Sequence, residues 1–495
     1  MRTRPRLVVH VLFETLLDAM PNIELSGNVR KLRSSSKRQA FEMPVRHPCP
    51  GVHPTDRSGA WAGAVVTEAG SGAGERPLRV ALLSYRSKPH CGGQGVYLRH
   101  LSRELVDLGH SVEILSGQPY PELDRDEIVL TKIPSLDLYR DEDPFRTPAR
   151  EEFRDWVDVL EFAHMRTGGF PEPLTFSIRV LRELKRRRRD FDVAHDNQVL
   201  GLANLGIARL GLPLVTSIHH PISVDRRIEL DAAQDWKAKL GKRRWYGFVA
   251  MQAQVARRIG TVLTVSESSK VDIVRDFKVD PRDIEILPLG VDTSVFHPRG
   301  PLSGRVPGRI VAMASADAPI KGVDVLLRAV AKVATERDVH VVVVSRPTKD
   351  GPTERLVREL ALGDRVRFVS GISDDELGEL LASAEVAVVP SRYEGFSLPA
   401  VEHMASGTPL VASRAGALPE VVGDAGILVE PGDVEELAAV LRRLHDSPEE
   451  RARWSEAGLA RVRERFAWRA VAQATVGHYR EAVTQRDYLR KAARK

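Results

Sequence analysis

Cysteine is scarce in this chain, and so are the patterns that would place it in a membrane or around a metal. Its 495 residues include two cysteines, Cys49 and Cys91, which cannot build a disulfide framework and lie in no Cys/His spacing typical of a metal site. No run of about 18 uncharged apolar residues occurs, so no transmembrane helix is predicted. These absences favour a reducing cytoplasm as the location of the protein.

The first 76 residues differ in composition from the remainder. An apolar stretch from Leu7 to Met20 is similar to a signal peptide, but Glu14 and Asp18 interrupt it and no clear cleavage site follows. Basic, Pro/His-rich and Gly/Ala/Ser-rich stretches then succeed one another without sustained periodicity. We therefore expect residues 1–76 to be a disordered and dispensable extension.

Two successive series of alternating strands and helices fill the rest of the chain. The first begins at the apolar run Arg79 to Ser84, and the second begins at Arg309 to Met313. Parallel strands alternating with amphipathic helices predict two doubly wound α/β domains, with a ligand cleft at the carboxyl ends of the strands. We expect a first Rossmann-like domain over 77–300 and a second over 308–470, joined by a hinge rich in proline and glycine.

The segment PSRYEGFSLPAVE, residues 390–402, is the most informative stretch of the chain. A buried strand is predicted to lead into it, and a helix that begins near Leu398 leads out. The free N–H groups at such a helix start bind anions, most often phosphate. Glu394 and Glu402 would repel a phosphate that they touched, so they are better suited to accept hydrogen bonds from hydroxyl groups beside it. A diphosphate flanked by hydroxyl groups indicates a nucleotide sugar.

The same segment resembles the E-x7-E signature of the retaining glycosyltransferases of family 4. The resemblance extends over about residues 78–470. It implies the GT-B fold, in which two doubly wound Rossmann-like domains face a cleft, and a C-terminal helix, 471–495, that crosses back to the first domain. It also implies transfer of a hexosyl group from a nucleotide-diphosphate sugar, without a metal or other cofactor, to a glycan, lipid or small metabolite.

The resemblance assigns roles to individual residues. Lys321, in a strand-to-helix loop, matches the family's phosphate-binding lysine, and His219, at a strand end, matches a histidine near the reacting sugar carbon, with His220 as the alternative. Glu394 would hold hydroxyl groups of the donor sugar, and Glu402 those of the ribose. Catalysis is thus expected of His219, Glu394 and Lys321. The residues expected to bind the donor are Gly92, Gly93, Lys321, Glu394, Gly395, Phe396, Ser397, Leu398 and Glu402.

The chain also departs from the family pattern. Ser315 and Ala316 stand where an arginine is common, so one cation for the departing diphosphate is missing, and Arg346 and Arg392 are candidate replacements. The glycines before and after Gln94 match a dinucleotide fingerprint poorly, because Leu98 stands where its third glycine would be. An NAD-binding protein is therefore not favoured.

Other functions and partners remain open from the sequence. The same fold could serve a nucleotide-sugar epimerase or hydrolase, or a non-catalytic nucleotide-sugar-binding protein. The formal net charge of +6 and the basic stretch 237–244, which is flanked by Trp236 and Trp245, would suit peripheral contact with the anionic inner face of a membrane. No nucleic-acid-binding module is recognisable.

Overall fold

Thirteen parallel strands form two β-sheets in the described part of the chain. The computed structural model describes residues 76–87, 93–140, 142–233 and 235–492, so the predicted extension lies outside the described residues apart from Arg76. The strands are β1 (Arg79–Ser84), β2 (Ser111–Ser116), β3 (Val129–Lys132), β4 (Val193–Asn197), β5 (Leu214–Ile218), β6 (Val262–Thr264), β7 (Ile284–Ile286), β8 (Val306–Met313), β9 (His340–Val344), β10 (Val366–Val369), β11 (Ala384–Val389), β12 (Leu410–Ser413) and β13 (Ile427–Val429).

The strand orders place a crevice in each domain. The first sheet runs β3-β2-β1-β4-β5-β6-β7 and the second runs β10-β9-β8-β11-β12-β13, with every neighbouring pair parallel. The order reverses between β1 and β4 and again between β8 and β11. In open parallel sheets the loops at such a point, at the carboxyl ends of the strands, bind ligands. The segment 390–402 follows β11, and Lys321 follows β8, so the predicted donor residues come from the two loops at that point.

Helices cover both faces of the sheets, as expected for strands that are apolar on both sides. Those that accompany the first sheet are α1 (Gly93–Asp107), α2 (Trp156–Arg166), α3 (Glu172–Arg187), α4 (Asn204–Arg209), α5 (Ser223–Ala232), α6 (Trp236–Trp245), α7 (Phe248–Ala256) and α8 (Glu267–Asp272). Those that follow are α9 (Val323–Val333), α10 (Pro352–Glu359), α11 (Asp374–Ala382), α12 (Leu398–Ala405), α13 (Leu418–Val422), α14 (Val434–Asp446), α15 (Pro448–Arg465) and α16 (Trp468–Ala492).

Local sequence explains several of these elements. Strands β9 and β11 are rich in buried valine, which suits a sheet covered on both faces. Helix α8 begins after Ser266, whose hydroxyl accepts the Ser269 N–H at 3.0 Å and so caps the helix. Helix α9 begins directly after Gly322, and its apolar residues lie on one side against the second sheet.

The terminal helix α16 packs on the first domain. The Tyr479 hydroxyl is 2.5 Å from Nδ1 of His195 on β4, and the Trp468 ring stacks on His100 of α1. The segment between the two sheets is held to the same region, because the Val291 N–H donates to the Phe466 carbonyl at 2.9 Å. The two ends of the described chain thereby share one apolar cluster.

No helix among the described residues is both long and apolar enough to cross a membrane.

Candidate functional site

Glu394 lies in the loop between β11 and α12, where two donors share one of its oxygens. Lys321 Nζ is 2.8 Å and Ser391 Oγ 2.7 Å from Oε1 of Glu394, and the residue is 9% exposed. The ion pair joins the loop after β8 to the loop after β11. Lys321 and Glu394, both predicted site residues, are therefore brought together at the reversal point of the second sheet.

Gly322 lets these two loops approach each other. It adopts a φ of +65°, and a Cβ at this position would lie 2.0 Å from the Pro390 carbonyl oxygen. Only glycine accepts that conformation and that contact without strain. Lys321 is thereby presented at the edge of the loop that carries Glu394.

The start of α12 is the position at which the sequence predicts a phosphate site. Ser397 is its N-cap residue, with a left-handed φ of 89°, and the helix begins at Leu398 as predicted. Gly395 precedes the cap, and Phe396 is buried with its ring 5.8 Å from that of Phe466. The first N–H groups of an α-helix lack intrahelical partners, and the helix dipole favours negative charge there. This is the arrangement that a phosphate group requires.

Glu402 lies further along α12, in a different environment from Glu394. Its Oε2 atom is buried and has no hydrogen-bond partner among the described residues. Burial, with a smaller contribution from the carboxylate of Asp374, raises the pKa of Glu402 to about 7. A buried carboxylate oxygen without a donor is unfavourable for the fold. It becomes satisfied if a ligand hydroxyl group donates to it.

His219 follows β5 and faces this loop from the first domain. Its Nε2 is 2.7 Å from Oδ1 of Asn197, and Nδ2 of Asn197 donates to the Gln94 carbonyl at 3.0 Å. Because Oδ1 can only accept, Nε2 of His219 must carry the proton, which leaves Nδ1 as a bare acceptor. Nδ1 is buried without a partner among the described residues, and burial lowers the pKa of His219 to about 3. The histidine is thus neutral and can accept a hydrogen bond.

A network of buried polar side chains lies on the side of His219 that faces the first sheet. The Tyr97 ring meets the His219 ring edge-on at 4.7 Å, and the Tyr97 hydroxyl is 3.1 Å from Ser217 Oγ. Ser217 Oγ is also 2.7 Å from Nε2 of His195, whose Nδ1 contacts the Tyr479 hydroxyl. Sequence analysis missed this network, because its members are scattered from α1 to α16.

His220, the alternative to His219, is engaged elsewhere. Its Nε2 is 2.9 Å from Oδ2 of Asp225, and its side chain is 37% exposed. The geometry therefore favours His219 as the histidine that can accept a bond from a ligand.

The segment 390–402, called the donor loop below, contacts the first domain directly. The Gly395 carbonyl accepts from Ser266 Oγ at 2.6 Å, and Ser269 Oγ lies 3.0 Å from both the Gly395 and the His219 carbonyl oxygens. A Cβ at Gly395 would lie 2.8 Å from the Cβ of His220. The segment 390–402 therefore lies between the two domains.

Further contacts across the cleft involve residues that sequence analysis did not single out. The Tyr393 hydroxyl donates to Oδ2 of Asp272 at 2.6 Å, and the Glu420 carboxylate accepts the N–H groups of Glu267 and Ser268 at 2.9 and 3.0 Å. A carboxylate at a helix start is electrostatically favourable. These contacts hold the two domains together around the donor loop.

The two candidate replacements for the missing arginine differ in whether their charge is already paired with a carboxylate. Arg392 forms a bidentate pair with Asp324, at 2.8 and 2.7 Å, so its charge is already matched. Arg346 follows β9 and is exposed, and no ion pair with another described residue engages it. Arg346 is therefore the better candidate of the two.

The predicted glycine loop of the first domain is described in part. Gly92 lies outside the described residues, whereas Gly93 is the first residue of α1. A Cβ at Gly93 would meet no atom of the described residues within 4 Å.

Comparisons with known proteins show the family of the chain. Residues 304–461 match the family model described as Glycosyl transferases group 1, and residues 91–295 match that described as Glycosyltransferase Family 4. An MMP alpha-(1->4)-mannosyltransferase from Mycolicibacterium hassiacum is 57% identical over 411 residues, which are 82% of this chain and 99% of that protein.

Solved structures support the fold at lower identity. Sucrose-phosphate synthase from Thermosynechococcus elongatus superposes with a TM-score of 0.62 at 22% identity, covering 82% of this chain and 100% of that one. Anabaena HepE in complex with UDP-glucose gives a TM-score of 0.58 at 19% identity, with the same coverage of 82% and 100%. Both likenesses concern the arrangement of two Rossmann-like domains.

Proposed function

Because the chain belongs to the group 1 and family 4 glycosyltransferases and has the GT-B fold, we propose that this glycosyltransferase moves a mannosyl group from a nucleotide-diphosphate sugar to an α-linked mannoside, with retention at the anomeric carbon. One observation carries the proposal. The Lys321–Glu394 pair and the start of α12 meet at the reversal point of the second sheet, against His219 of the first domain.

The donor would be bound by groups of matching chemistry. Its diphosphate would lie over Gly395–Leu398, where the helix start and Lys321 offset its charge. Glu394 would accept hydroxyl groups of the sugar through the oxygen that Lys321 and Ser391 leave free. Glu402 would accept the ribose hydroxyl groups through its unpartnered Oε2.

Transfer with retention would proceed by attack on the face from which the phosphate departs. The acceptor hydroxyl would give its proton to an oxygen of the leaving diphosphate as the new glycosidic bond forms. The protein would stabilise the leaving group with Lys321 and the helix start, and the contacts of Gly395 and Tyr393 across the cleft would exclude water. His219 would orient the sugar by accepting a hydroxyl at Nδ1.

The choice of mannose and of an α-(1→4) linkage rests on the relative from Mycolicibacterium hassiacum, at 57% identity over almost its whole length. The base of the nucleotide is left open. We also propose that no metal takes part, since Lys321 and the helix start already offset the diphosphate charge.

An assay of transfer tests the proposal against its alternatives. The enzyme is incubated with mannose and glucose donors carrying guanine, uracil or adenine, with and without an α-(1→4)-linked mannotriose acceptor, in EDTA. We expect mannosyl transfer that requires the acceptor and gives an α-linked product by NMR. Donor consumption without acceptor would indicate an epimerase or hydrolase, and binding without turnover would indicate a sensor.

We propose a cytoplasmic location with weak peripheral contact at anionic membranes through α6. Trp236 and Leu240 of this helix are 70% and 58% exposed and are flanked by basic residues. Such a helix binds acidic lipid surfaces by apolar insertion and charge together. Cosedimentation with vesicles of neutral and of acidic phospholipid, for the wild type and for Trp236→Ser with Leu240→Ser, tests this contact; equal recovery in all cases would remove it.

A further inference from the structure

The buried polar network beside His219 extends across the first domain to the terminal helix. Tyr479 of α16 places its hydroxyl 2.5 Å from Nδ1 of His195 on β4, and Nε2 of His195 is 2.7 Å from Ser217 Oγ on β5. Ser217 Oγ is in turn 3.1 Å from the Tyr97 hydroxyl on α1. These four side chains are at most 4% exposed, so water does not compete for the bonds between them.

The network is a single series of hydrogen bonds. Burial lowers the pKa of His195 to about 3, so its ring is neutral, with one N–H donor and one bare nitrogen. If Tyr479 donates to Nδ1, then Nε2 of His195 donates to Ser217, whose hydroxyl can donate to Tyr97. The series can also run in the opposite direction. In both cases, loss of the Tyr479 hydroxyl leaves Nδ1 of His195 buried without a partner among the described residues.

Tyr97, at the other end of the series, fixes the ring of His219. The two rings form a T-shaped contact with centroids 4.7 Å apart, which is the geometry of a packed aromatic pair. Asn197 contacts Nε2 of His219 and also donates to the Gln94 carbonyl, at the start of the helix that carries Tyr97. The orientation of the His219 ring therefore depends on where Tyr97 and the start of α1 lie.

The docking of α16 does not depend on the Tyr479 hydroxyl alone. Trp468 stacks on His100 of α1, and Val471 and Ala472 belong to the apolar cluster that the helix shares with the first domain. A phenyl ring at position 479 would keep the apolar contacts of that side chain. The hydroxyl can therefore be removed with the helix still in place.

We propose that Tyr479 is a positioning residue for glycosyl transfer, and that its hydroxyl fixes the ring of His219 through this series of bonds. The bare Nδ1 of His219 can orient a sugar hydroxyl only if its ring is held at the correct angle, and small displacements at a reacting centre are costly. This inference rests on the proposed function, because it takes His219 to contact the donor sugar.

Tyr479→Phe removes the hydroxyl and is assayed as the full chain, under the transfer conditions given above. We expect kcat to fall about three- to tenfold. The donor KM should stay within about twofold, because the groups proposed to bind the diphosphate and the ribose belong to the second domain. Circular dichroism during heating confirms that the variant is folded at the temperature of the assay.

Double variants separate positioning from a loss of stability. In a His219→Phe background, where Nδ1 is already absent, Tyr479→Phe should lower kcat by less than about twofold more, because both changes act on one group. Ser217→Ala interrupts the series in its middle, so it should cause the same loss as Tyr479→Phe and add nothing to it. Losses that multiply in these double variants would overturn the proposal.

Tyr139→Phe is the matched control. Tyr139 is 8% exposed, its hydroxyl donates to the Gly169 carbonyl at 3.2 Å, and it belongs to a different apolar cluster from Tyr479. Its melting temperature should fall while kcat stays unchanged. A folded Tyr479→Phe enzyme with wild-type kcat would overturn the positioning role and leave the proposed function intact. A wild type that transfers no mannosyl group would overturn the proposed function, and this role with it.

Discussion

The two walls of the cleft are built in opposite ways. The wall of the second domain comes from thirteen consecutive residues, 390–402, supplemented by Lys321 from the neighbouring loop. The wall of the first domain is assembled from residues far apart in the chain, with His219 held by Asn197 and backed by Tyr97. A strand, a loop and a helix start suffice to make a phosphate site, whereas a histidine with one bare nitrogen needs partners from several elements.

This difference indicates which residues can differ between related enzymes with different specificities. In the proposed function, the second wall binds the diphosphate, whose chemistry is common to all nucleotide sugars. In the same proposal, the first wall faces the acceptor. Specificity can therefore change through distant residues of the first domain while the donor loop stays the same.

Removal of Lys321 should have the largest effect. Lys321→Ala deletes the cation proposed to bind the diphosphate and leaves the Glu394 carboxylate, 9% exposed, without its ion pair. We expect kcat to fall about 10²- to 10³-fold. Steady-state rates at saturating donor measure the loss.

Lys332→Ala is the control for that prediction, because Lys332 pairs with Glu435 at 2.8 Å on the exposed face of α9. Its rate should stay within about twofold of the wild type. If the two variants have similar rates, Lys321 does not contribute to catalysis.

His219→Phe tests the first wall. The phenyl ring can keep the contact with Tyr97 but lacks the bare Nδ1, so kcat/KM should fall about ten- to a hundredfold. Asn197→Leu removes the acceptor that sets the tautomer of His219 and should have a smaller effect in the same direction. A His219→Phe enzyme with wild-type kcat/KM would contradict a direct role for this nitrogen.

Glu402→Gln should show that Glu402, unlike Glu394, makes donor binding depend on pH. The pKa of Glu402 is about 7, so the carboxylate that ribose hydroxyl groups would prefer is lost as the pH falls below 7. The donor KM of the wild type should therefore rise up to about tenfold per unit below pH 7, and that of the variant should be uniformly high and independent of pH. A wild-type donor KM that is constant from pH 5.5 to 8 would argue against this role.

The same substitution should act in the opposite direction on stability. A carboxyl group whose pKa is raised on folding stabilises the fold below its ordinary pKa of 4.5, and that stability is lost as the pH rises through about 7. Glu402→Gln should thus raise the melting temperature at pH 8 and leave it nearly unchanged at pH 5. A lower melting temperature at pH 8 would mean that Glu402 has a partner in solution.

The smallest expected effect belongs to the contacts that join the walls. Tyr393→Phe removes a single hydrogen bond across the cleft, to Asp272. We expect a change of about two- to fivefold in donor KM and a slightly larger radius of gyration by small-angle scattering. An unchanged scattering curve together with an unchanged KM would show that this bond does not contribute to closure.

Much of the second domain could be predicted from sequence. The strand before residue 390, the helix from Leu398 and the bounds of α9 follow from buried apolar runs, a helix cap and glycine or proline at the ends. The short strands β3, β7 and β13 were missed, because three or four residues carry little periodicity.

The candidate site could be predicted only as far as local sequence defines it. Lys321, Glu394 and Glu402 are recognisable because the segments that carry them resemble motifs of the family. The Lys321–Glu394 pair, the tautomer of His219 and the Tyr393–Asp272 bond depend on tertiary contacts between distant segments. Pattern and propensity carry no information about such contacts.

The bond between Tyr479 and His195 has a consequence for synthesis. Both side chains are fully or almost fully buried, so β4 lacks its last covering layer until α16 has docked. A chain made from its N-terminus onward therefore leaves the first domain incomplete until the codons for α16 have been translated. A premature stop codon shortly before position 479 would therefore disrupt the half of the protein that was made first.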